Sequence, residues 1–377
     1  MKDGFVKTAA GTPDIKVADC GYNCARIKAL IDKAHEQGVR VLVLPELCIT
    51  GYTCQDLFFQ QTLLDGALNA LKDITEHSAG LDMLIAVGCP LRFRGELYNC
   101  AVVMKDGKIL GVVPKKFLPN YNEFYEKRHF TAAPEGEYDI ELFGESVPFG
   151  LGLLFECRGT PELVFAAEIC EDLWAAEPPS ISLALGGATL IANLSASNET
   201  IGKDSYRRDL VKGQSARLVC GYIYATAGEG ESSQDLVFGG QNLIAENGTM
   251  LAEAKRFQNT VIYGEIDVQR LADERRRLST YPASDDADCQ IVPFEVEVEE
   301  TSLTRKFAPY PFVPSVKEER DMRCEEILNI QAMGLKKRMS HIHCQKAMVG
   351  LSGGLDSTLA LLVIARTFQL MGLPSEN

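Results

Sequence analysis

The sequence predicts an α/β layered fold, and three patterns carry that prediction. Up to about Val268, short apolar runs with the length of strands alternate with longer runs that have the period of helices. The run "VRVLVLPE" is apolar and rich in β-branched residues, which is typical of a strand covered on both faces. The turns "DGK" at Asp106–Lys108 and "NG" at Asn247–Gly248 join neighbouring strand candidates as hairpins, so the sheets are not purely parallel.

The predicted elements follow along the chain. A strand over "FVKTAA" precedes a helix over "CARIKALIDKAHEQG", for which Asn23 is the expected N-cap and Gly38 the end. After "VRVLVLPE" we expect a long helix from Leu57 to about His77, and a later helix covers "SYRRDLVKGQSARLVC". The remaining strand candidates are "DMLIAVGCP", the hairpin "YNCAVVMKDGKILGVVPK", "LGLLFE", "ELVFAAEIC", "ATLIANLSAS", "GYIYATA", the hairpin "QNLIAENGTMLAEA" and "VIYGEIDV".

The domain organisation follows from a change in composition. Residues 1–270 are predicted as one domain, 271–315 as a linker, and 316–377 as the truncated start of a second α/β domain. The linker is rich in Pro, Asp and Glu and has little periodicity. A new helix begins near Val316 and leads into "AMVGLSGGLDSTLALL", which predicts a buried strand, a tight glycine turn and a helix.

Charge and cysteine content exclude several classes of function. The formal net charge of −14 argues against a nucleic-acid partner or an anionic membrane surface, because phosphates are bound by excess Lys and Arg. No run of about 18 apolar residues is present, and the N-terminus lacks the core of a signal peptide. The 12 cysteines are scattered without a CxxC pair, so we expect reduced thiols in a cytoplasmic protein.

Three reactive side chains each follow an apolar strand candidate. Glu46 ends "VLVLPE", Lys115 ends "GVVPK" and Cys170 ends "VFAAEIC". Strand ends are where α/β folds gather ligands, so the three residues are a candidate nucleophilic site with a thiol, a cation and a carboxylate base. Taken singly, Cys170 has the alternative of an inert buried thiol. Of the five histidines only His129 has a context suited to a Cys–His site, so a carboxylate base is more economical.

These segments carry a resemblance to a known family. "LPELCITGY", "PKKFLPNYNEFYEKRHF" and "EICEDLW" resemble, in the same order, the three signatures of the nitrilase or carbon–nitrogen hydrolase superfamily. The resemblance extends from Met1 to about Arg270 and implies a four-layer αββα sandwich with a Glu46–Lys115–Cys170 triad. "LPNYNEFYEKR", "NLSASNETIGK" and "SGGLDST" are similar to the glutamine-dependent NAD synthetases within that superfamily.

The resemblance implies a role for each matched residue. Cys170 would attack the side-chain amide of L-glutamine, Glu46 would move the proton, and Lys115 with a backbone N–H after Cys170 would stabilise the oxyanion. Glu126 is either a second carboxylate that orients Lys115 or an ordinary surface charge. The family's glutamine pocket maps to Tyr121, Trp174, Ser197 and Lys203.

Two of these pocket positions leave alternatives open. Trp174 has the alternative of a core residue. The sequence departs from common forms of the family at Asn198, where proline is frequent, and at Lys203, where some members have Arg. A lysine binds a carboxylate without the bidentate geometry of a guanidinium, so Lys203 would hold the α-carboxylate of glutamine as a point charge only.

The glycine-rich loop resembles the PP-loop of ATP pyrophosphatases and lacks the GxxxxGK[ST] pattern of a Walker A motif. Glycine N–H groups and hydroxyls at a helix N-terminus suit a pyrophosphate, and an aspartate suits Mg²⁺ or a water in its shell. The matched residues are Ser352, Gly353, Gly354, Asp356, Ser357 and Thr358. In the family, ATP and Mg²⁺ serve to adenylate nicotinic acid adenine dinucleotide, which ammonia then converts to NAD.

We therefore expect the amidotransferase portion of such a synthetase, with glutamine hydrolysis by a chain too short to complete the ATP-dependent step. The glutaminase step itself is expected to need no cofactor, and no complete metal site is predicted. One alternative is a stand-alone hydrolase such as an ω-amidase, and another is an inactive module that supports assembly. Relatives of this type usually pair, so we expect a homo-oligomer.

Overall fold

The structure is a computed structural model that describes residues 1–282, 289–307 and 309–374. It divides into two compact units, Met1–Arg305 and Lys306–Asn377. The strands of the first unit are β1 Phe5–Gly11, β2 Val41–Val43, β3 Leu84–Phe93, β4 Glu96–Lys105, β5 Lys108–Pro114, β6 Tyr138–Leu142, β7 Glu145–Phe149, β8 Leu153–Cys157, β9 Val164–Ile169, β10 Leu190–Ser195, β11 Gly221–Thr226, β12 Leu243–Glu246, β13 Thr249–Glu253, β14 Val261–Asp267 and β15 Gln290–Phe294. Its α-helices are α1 Cys20–Glu36, α2 Gln61–His77, α3 Glu171–Trp174, α4 Pro179–Leu185, α5 Lys203–Arg217 and α6 Val268–Arg277.

The strands form two mixed sheets. The first has the order β14-β1-β2-β3-β4-β5-β7-β6, and the second has the order β13-β12-β11-β10-β9-β8-β15. Strands β1, β2 and β3 are parallel, as are β9, β10 and β11, whereas the hairpins β4–β5 and β12–β13 are antiparallel. Both hairpins turn on the predicted residues, since Asp106, Gly107, Asn247 and Gly248 all have positive φ.

Three of the four hydrophobic core clusters among the described residues show how the layers stack. One core joins α1 and α2 to the outer face of the first sheet, a second lies between the two sheets, and a third joins the second sheet to α4 and α5. Alternation along β9 explains this arrangement: Phe165, Ala167 and Ile169 belong to the core between the sheets, and Val164 and Ala166 to the core under the helices. The first unit is therefore an αββα sandwich.

Two helix boundaries differ from the sequence prediction. Helix α1 is capped by Asp19, whose carboxylate accepts the Tyr22 N–H at 3.0 Å, and not by Asn23. Asn23 is buried inside the helix, where its amide bonds the Ile49 carbonyl and the Lys16 backbone. The helix predicted from Leu57 instead begins at Gln61, because a kinked 3-10 segment, Tyr52–Phe59, precedes it.

The predicted linker over 271–315 is wrong for most of its length, since α6 continues to Arg277 and the first unit extends to Arg305. Strand β15 lies in this segment and pairs in parallel with β8 at the edge of the second sheet. Arg305 forms an ion pair with Glu246 through two hydrogen bonds, so backbone pairing and a partly buried ion pair attach the segment to the sandwich. Residues 283–288 and 308 of the predicted linker lie outside the described residues.

The second unit contains two helices among its described residues, α7 Lys317–His341 and α8 Leu355–Met371. The strand predicted before the glycine turn does not form, and Met348 in that segment is 100% exposed. A strand needs partners for its backbone N–H and C=O groups, and the described residues of this unit provide none. Throughout the described ranges, no helix has the length and apolarity needed to cross a bilayer.

Candidate active site

Glu46 lies just beyond β2, in a segment that crosses the first sheet at close range. The segment passes directly over Gly88 of β3, where an added Cβ would stand 2.2 Å from Leu47 N and 2.4 Å from Pro45 O. Glycine is therefore required at position 88 for the backbone that carries Glu46. Glu46 is 1% exposed as a whole residue, so its carboxylate points into the protein.

Lys115 joins two buried carboxylates. Its Nζ donates to Glu46 Oε1 at 2.6 Å and to Glu126 Oε1 at 2.7 Å, and its side chain is 0% exposed. Asn99 Nδ2 also donates to Glu46 Oε1, at 2.6 Å, and the Tyr52 hydroxyl donates to Glu126 Oε1 at 2.8 Å. The structure thus brings Glu46, Lys115 and Glu126 together. The sequence reasoning assigned no role to Asn99 or Tyr52, although Tyr52 is the last residue of the quoted motif "LPELCITGY".

Burial is the largest single influence on the pKa values of Glu126 and Lys115, and neighbours of opposite charge counteract it. Burial raises the pKa of Glu126 to about 8, against the opposing effect of Lys115. Burial also acts to lower the pKa of Lys115, but Glu126 and Glu46 outweigh it, and the net shift of its pKa is upward. Lys115 is therefore a permanent cation at neutral pH. Glu126 is better described as buried support for that cation than as the surface charge that the sequence left open.

Cys170 occupies a strained turn between β9 and α3. Its backbone has φ 43° and ψ −98°, a conformation that residues other than glycine rarely adopt. The Cys170 N–H donates to the Leu194 carbonyl at 3.0 Å and to Asn193 Oδ1 at 3.1 Å, which ties the turn to β10. Strain at a strand-to-helix turn that presents a thiol is a feature of nucleophilic sites.

The Cys170 thiol lies in the electrostatic field of the cluster. Its pKa is raised to about 12, mainly by burial and then by the nearby Glu46, while Lys115 acts in the opposite direction. The group is therefore a thiol at neutral pH and needs a base to become a nucleophile. The structure places a carboxylate, Glu46, within electrostatic range of Cys170. His129, the alternative partner, directs its Nε2 to Asp56 at 3.1 Å.

The four predicted pocket residues occupy the surroundings of Cys170 to different degrees. Lys203, at the start of α5, lies 5.2 Å from the centre of the Trp174 ring and donates to Asn198 Oδ1. Burial lowers the pKa of Lys203, and Cys170 acts on that pKa in the opposite direction. Trp174 is only partly buried and packs on Tyr206, so a purely core role does not describe it.

Tyr121 and Ser197 differ in exposure. Tyr121 is half exposed and its hydroxyl donates to Glu171 Oε1 at 2.7 Å. Ser197 is buried, and its hydroxyl accepts from Arg207 Nη2 at 3.2 Å. Arg207 is fully buried and also bonds Glu199 Oε1 at 2.8 Å, so it fixes the segment that carries Ser197. The sequence reasoning missed Arg207, although "SYRRDL" places it one helical turn after Lys203.

The glycine-rich loop belongs to the second unit. Gly353 has φ +84°, and the hydroxyls of Ser357 and Thr358 donate to the Gly354 carbonyl at 3.1 and 2.9 Å. Ser352 Oγ lies 3.2 Å from Ser357 Oγ, and Asp356 stands in the first turn of α8. The hydroxyls predicted to bind phosphate thus gather at the N-terminus of a 17-residue helix. Within the described part of the chain, no group of three His, Cys, Asp or Glu residues has the arrangement of a metal site.

Comparison with known proteins adds a family and a set of relatives. The family model described as carbon-nitrogen hydrolase matches residues 7–276. A glutamine-dependent NAD(+) synthetase of Mycobacterium tuberculosis is 39% identical over 384 aligned positions, which cover 99% of this chain and 57% of that protein. This chain thus spans little more than half the length of that relative.

Two solved structures share the fold. The glutamine-dependent NAD(+) synthetase from Cytophaga hutchinsonii superposes with a TM-score of 0.63 at 26% identity, covering 97% of this chain and 52% of its own. An amidase from Nesterenkonia sp. superposes with a TM-score of 0.56 at 18% identity, covering 74% of this chain and 96% of its own. At 18% identity the amidase supports the shared fold alone. Its alignment with 74% of this chain corresponds to a sandwich without a second unit.

Proposed function

Since this chain belongs to the carbon–nitrogen hydrolase family, we propose that its first unit hydrolyses the side-chain amide of L-glutamine to glutamate and ammonia. The observation that carries the proposal is the Lys115 ammonium held at 2.6 and 2.7 Å by two buried carboxylates, in the electrostatic field of the strained Cys170 turn. A buried cation, a carboxylate base and a thiol are the three groups that amide hydrolysis through a thioester requires.

The acylation step assigns one task to each group. Glu46 takes the proton from the Cys170 thiol as Sγ attacks the amide carbon of glutamine. Lys115 uses two of its three N–H donors on Glu46 and Glu126, which leaves the third for the developing oxyanion. The N–H of Glu171, in the first turn of α3, is the second donor. Glu46 then gives its proton to the leaving nitrogen, and ammonia departs.

The deacylation step reverses the roles. Glu46, now ionised, accepts a proton from a water molecule that attacks the γ-glutamyl thioester carbon. The same oxyanion donors stabilise the second tetrahedral intermediate. Its collapse breaks the C–S bond, and the proton on Glu46 returns to the Cys170 sulfur as glutamate leaves. No metal or organic cofactor enters either step.

Glutamine is favoured as the substrate by the charges near Cys170. Lys203 provides a cation for the α-carboxylate, and its ring contact with Trp174 sets the direction of the ammonium. Ser197 and Tyr121 supply hydroxyls for the polar groups of the substrate. A lysine contributes a point charge here, so the α-carboxylate is held by attraction and not by a bidentate pair.

The larger reaction that we propose is that of a glutamine-dependent NAD(+) synthetase. The support is the 39% identity to the Mycobacterium tuberculosis protein, which covers 99% of this chain and so includes the second unit. In that reaction ammonia amidates nicotinic acid adenine dinucleotide that ATP has adenylated. Because this chain spans 57% of that relative, the ATP-dependent step is proposed for a longer protein and not for this chain by itself.

Residues of the second unit fit the phosphate part of ATP. Gly353 has an open left-handed turn, with no atom within 4 Å of an added Cβ, and backbone N–H groups begin α8 directly after it. Ser352, Ser357 and Thr358 would hold phosphate oxygens, and Asp356 would face Mg²⁺ or its water shell. ATP would supply the adenylyl group that activates the substrate carboxylate in that chemistry, while these residues would bind and orient its phosphates.

We extend the proposal to location and assembly. The nine buried cysteines of the first unit are free thiols, which favours a reducing compartment such as the cytoplasm. Association into a homo-oligomer follows from the family resemblance. Sedimentation velocity of the chain at several concentrations tests that part, and a single monomeric species at every concentration would contradict it.

The experiment that tests the function is a glutaminase assay on the full chain. Glutamate release is followed with glutamine, and with an ω-amide series that lacks the α-amino group. We expect turnover of glutamine, loss of activity by at least about 10⁴-fold in Cys170→Ala, and full activity in the exposed control Cys324→Ser. Preference for the ω-amides over glutamine would support the stand-alone hydrolase instead. Absence of turnover and of Cys170 labelling by a glutamine-like electrophile would refute a hydrolytic site.

A further inference from the structure

Asp172 is a buried carboxylate that the proposed mechanism does not use. It is 1% exposed and lies two residues after Cys170, in α3. Its Oδ2 accepts the N–H of Ile169 at 2.9 Å, and its Oδ1 accepts the N–H of Phe117 at 2.8 Å. A third and longer contact joins Oδ2 to the Lys116 N–H at 3.5 Å. Both carboxylate oxygens are therefore committed to backbone amides.

The amides come from two separate parts of the fold. Ile169 is the last residue of β9, immediately before Cys170, and belongs to the second sheet. Phe117 follows Lys115 by two residues, after the end of β5 in the first sheet. One carboxylate thus connects the backbone beside the nucleophile to the backbone beside the cation, across the interface between the sheets. Hydrogen bonds to an ionised acceptor are about twice as strong as neutral ones, which suits a connection of this kind.

Cys170 needs such a connection because its conformation is strained. With φ 43° and ψ −98°, the turn persists only if the surrounding structure holds it. Asn193 holds it from β10, where Oδ1 accepts the Cys170 N–H at 3.1 Å and Nδ2 lies 3.4 Å from the Cys170 carbonyl. Those contacts fix the turn within the second sheet. They do not fix its distance from Lys115, which the first sheet carries.

We propose that Asp172 is a positioning residue that sets the separation between Cys170 and Lys115 by binding the backbone amides next to each. It touches neither the substrate nor the reacting atoms and acts through those two residues. The inference rests on the proposed glutaminase function for its kinetic consequences. The reactivity of Cys170 towards a simple electrophile tests it independently of glutamine.

The charges around Asp172 allow positioning to be separated from electrostatics. Burial raises the pKa of Asp172 to about 7, the amides of Ile169 and Phe117 oppose this, Glu168 of β9 raises it, and Lys115 lowers it. Removing a negative charge near Cys170 would by itself favour the thiolate and speed its alkylation. Loss of positioning would slow alkylation, because the thiol would no longer lie correctly against its base and cation. The two explanations therefore predict opposite signs.

The test uses the full chain with Asp172→Asn, since an asparagine keeps the shape but has one acceptor oxygen for two amides. The matched control is Asp267→Asn, which alters a carboxylate that accepts the Arg270 N–H at 2.9 Å at the start of α6. Carbamidomethylation of Cys170 by iodoacetamide is followed by peptide mass spectrometry, and glutamine kinetics are normalised to labelled sites. In Asp172→Asn we expect alkylation of Cys170 to slow about tenfold and kcat to fall about 100-fold, while KM changes less than about threefold. The control Asp267→Asn should show none of these changes.

Other outcomes overturn the proposal. Faster alkylation in Asp172→Asn would assign the residue an electrostatic role. If thermal stability falls while the alkylation rate and kcat per labelled site stay unchanged, the role of Asp172 is purely structural. If Asp172→Asn does not fold, Asp172→Glu decides, because it keeps both acceptors and moves them by one methylene. Slower alkylation in that variant supports positioning, and the wild-type rate contradicts it. If the wild-type chain does not hydrolyse glutamine, the alkylation result still stands while the proposed function fails.

Discussion

Replacing Lys115 with methionine should destabilise the first unit more than any single ion-pair loss at its surface. The substitution keeps the approximate length of the side chain and removes the ammonium. It leaves Glu46 and Glu126 buried, with one hydrogen-bond donor each, from Asn99 and Tyr52. The second oxygens of the two carboxylates already have no partner among the described residues, so no other donor is in place to compensate for the lost cation.

The magnitude follows from the burial of all three groups. The side chains of Lys115 and Glu46 are 0% exposed and that of Glu126 is 4% exposed, so solvent screens none of these charges. Removing one partner of a buried ion pair costs about 3–5 kcal/mol of the free energy of unfolding, because the remaining charge is left uncompensated. Above about pH 8, where Glu126 is ionised in the wild type, its protonation in the variant would offset part of that cost.

The pH dependence has a definite sign. In the folded wild type the pKa of Glu126 is raised to about 8, above its ordinary value of 4.5, so its contribution to stability is present at low pH. That contribution is lost as the pH rises from the unfolded-state pKa to about 8, at up to about 1.4 kcal/mol per pH unit. Lys115 opposes this shift, so Lys115→Met should raise the pKa of Glu126 further and extend the loss of stability to higher pH.

The assay is urea unfolding of the full chain at several pH values, followed by the fluorescence of Trp174, the only tryptophan, which reports on the first unit. The matched control is Lys105→Met, because Lys105 pairs with Asp82 at 3.2 Å with 13% exposure and Asp82 keeps Arg40 as a second partner. We expect a loss of at most about 1 kcal/mol in the control. A loss below about 1 kcal/mol in Lys115→Met, with no change in its pH dependence, would refute the reasoning from buried charge.

Two further predictions concern the backbone under Glu46 and the substrate cation. Gly88→Ala should abolish glutaminase activity, because its Cβ would stand 2.2 Å from Leu47 N, whereas Gly213→Ala in α5 has open space and should leave the activity unchanged. Equal kinetics for the two variants in the glutamate-release assay would contradict this. Lys203→Ala should raise KM for glutamine about 10- to 100-fold and lower kcat less, with Lys212→Ala of the same helix as the control. A fall in kcat at unchanged KM would assign Lys203 to chemistry instead of binding.

Several elements could be predicted from the sequence because their signals are local. The apolar β-branched runs of β3, β9 and β10 carry their own pattern, and the turns at Asp106–Gly107 and Asn247–Gly248 need positive φ that Asn, Asp and Gly adopt readily. The hairpin β6–β7 was not predicted, because its five-residue strands have a mixed burial pattern. Strand β15 was missed because only its pairing with β8 distinguishes it from linker.

The strand expected before the glycine turn is the opposite error, because it is predicted from the sequence but does not form in the structure. The residues around Met348 have the composition of a buried strand, yet Met348 is fully exposed among the described residues. A strand is stabilised by its neighbours in a sheet, so composition alone does not produce one. The helix that follows, α8, does form as predicted, because its hydrogen bonds lie within its own segment.

The sequence by itself determined the α/β class, the order of most elements and the three chemically distinct residues Glu46, Lys115 and Cys170, since apolar periodicity and strand-end position are properties of neighbouring residues. The four-layer αββα arrangement was an expectation from the family resemblance, and the structure confirms it. Only the tertiary structure decided that Glu126 is buried against Lys115 and that Asp172 bridges the two sheets. The sequence leaves Glu126 open between a carboxylate that orients Lys115 and a surface charge, and it marks no role for Asp172. Their pKa values and partners depend on backbone segments from other parts of the chain, and burial, which raises those pKa values, exists only once the layers have packed.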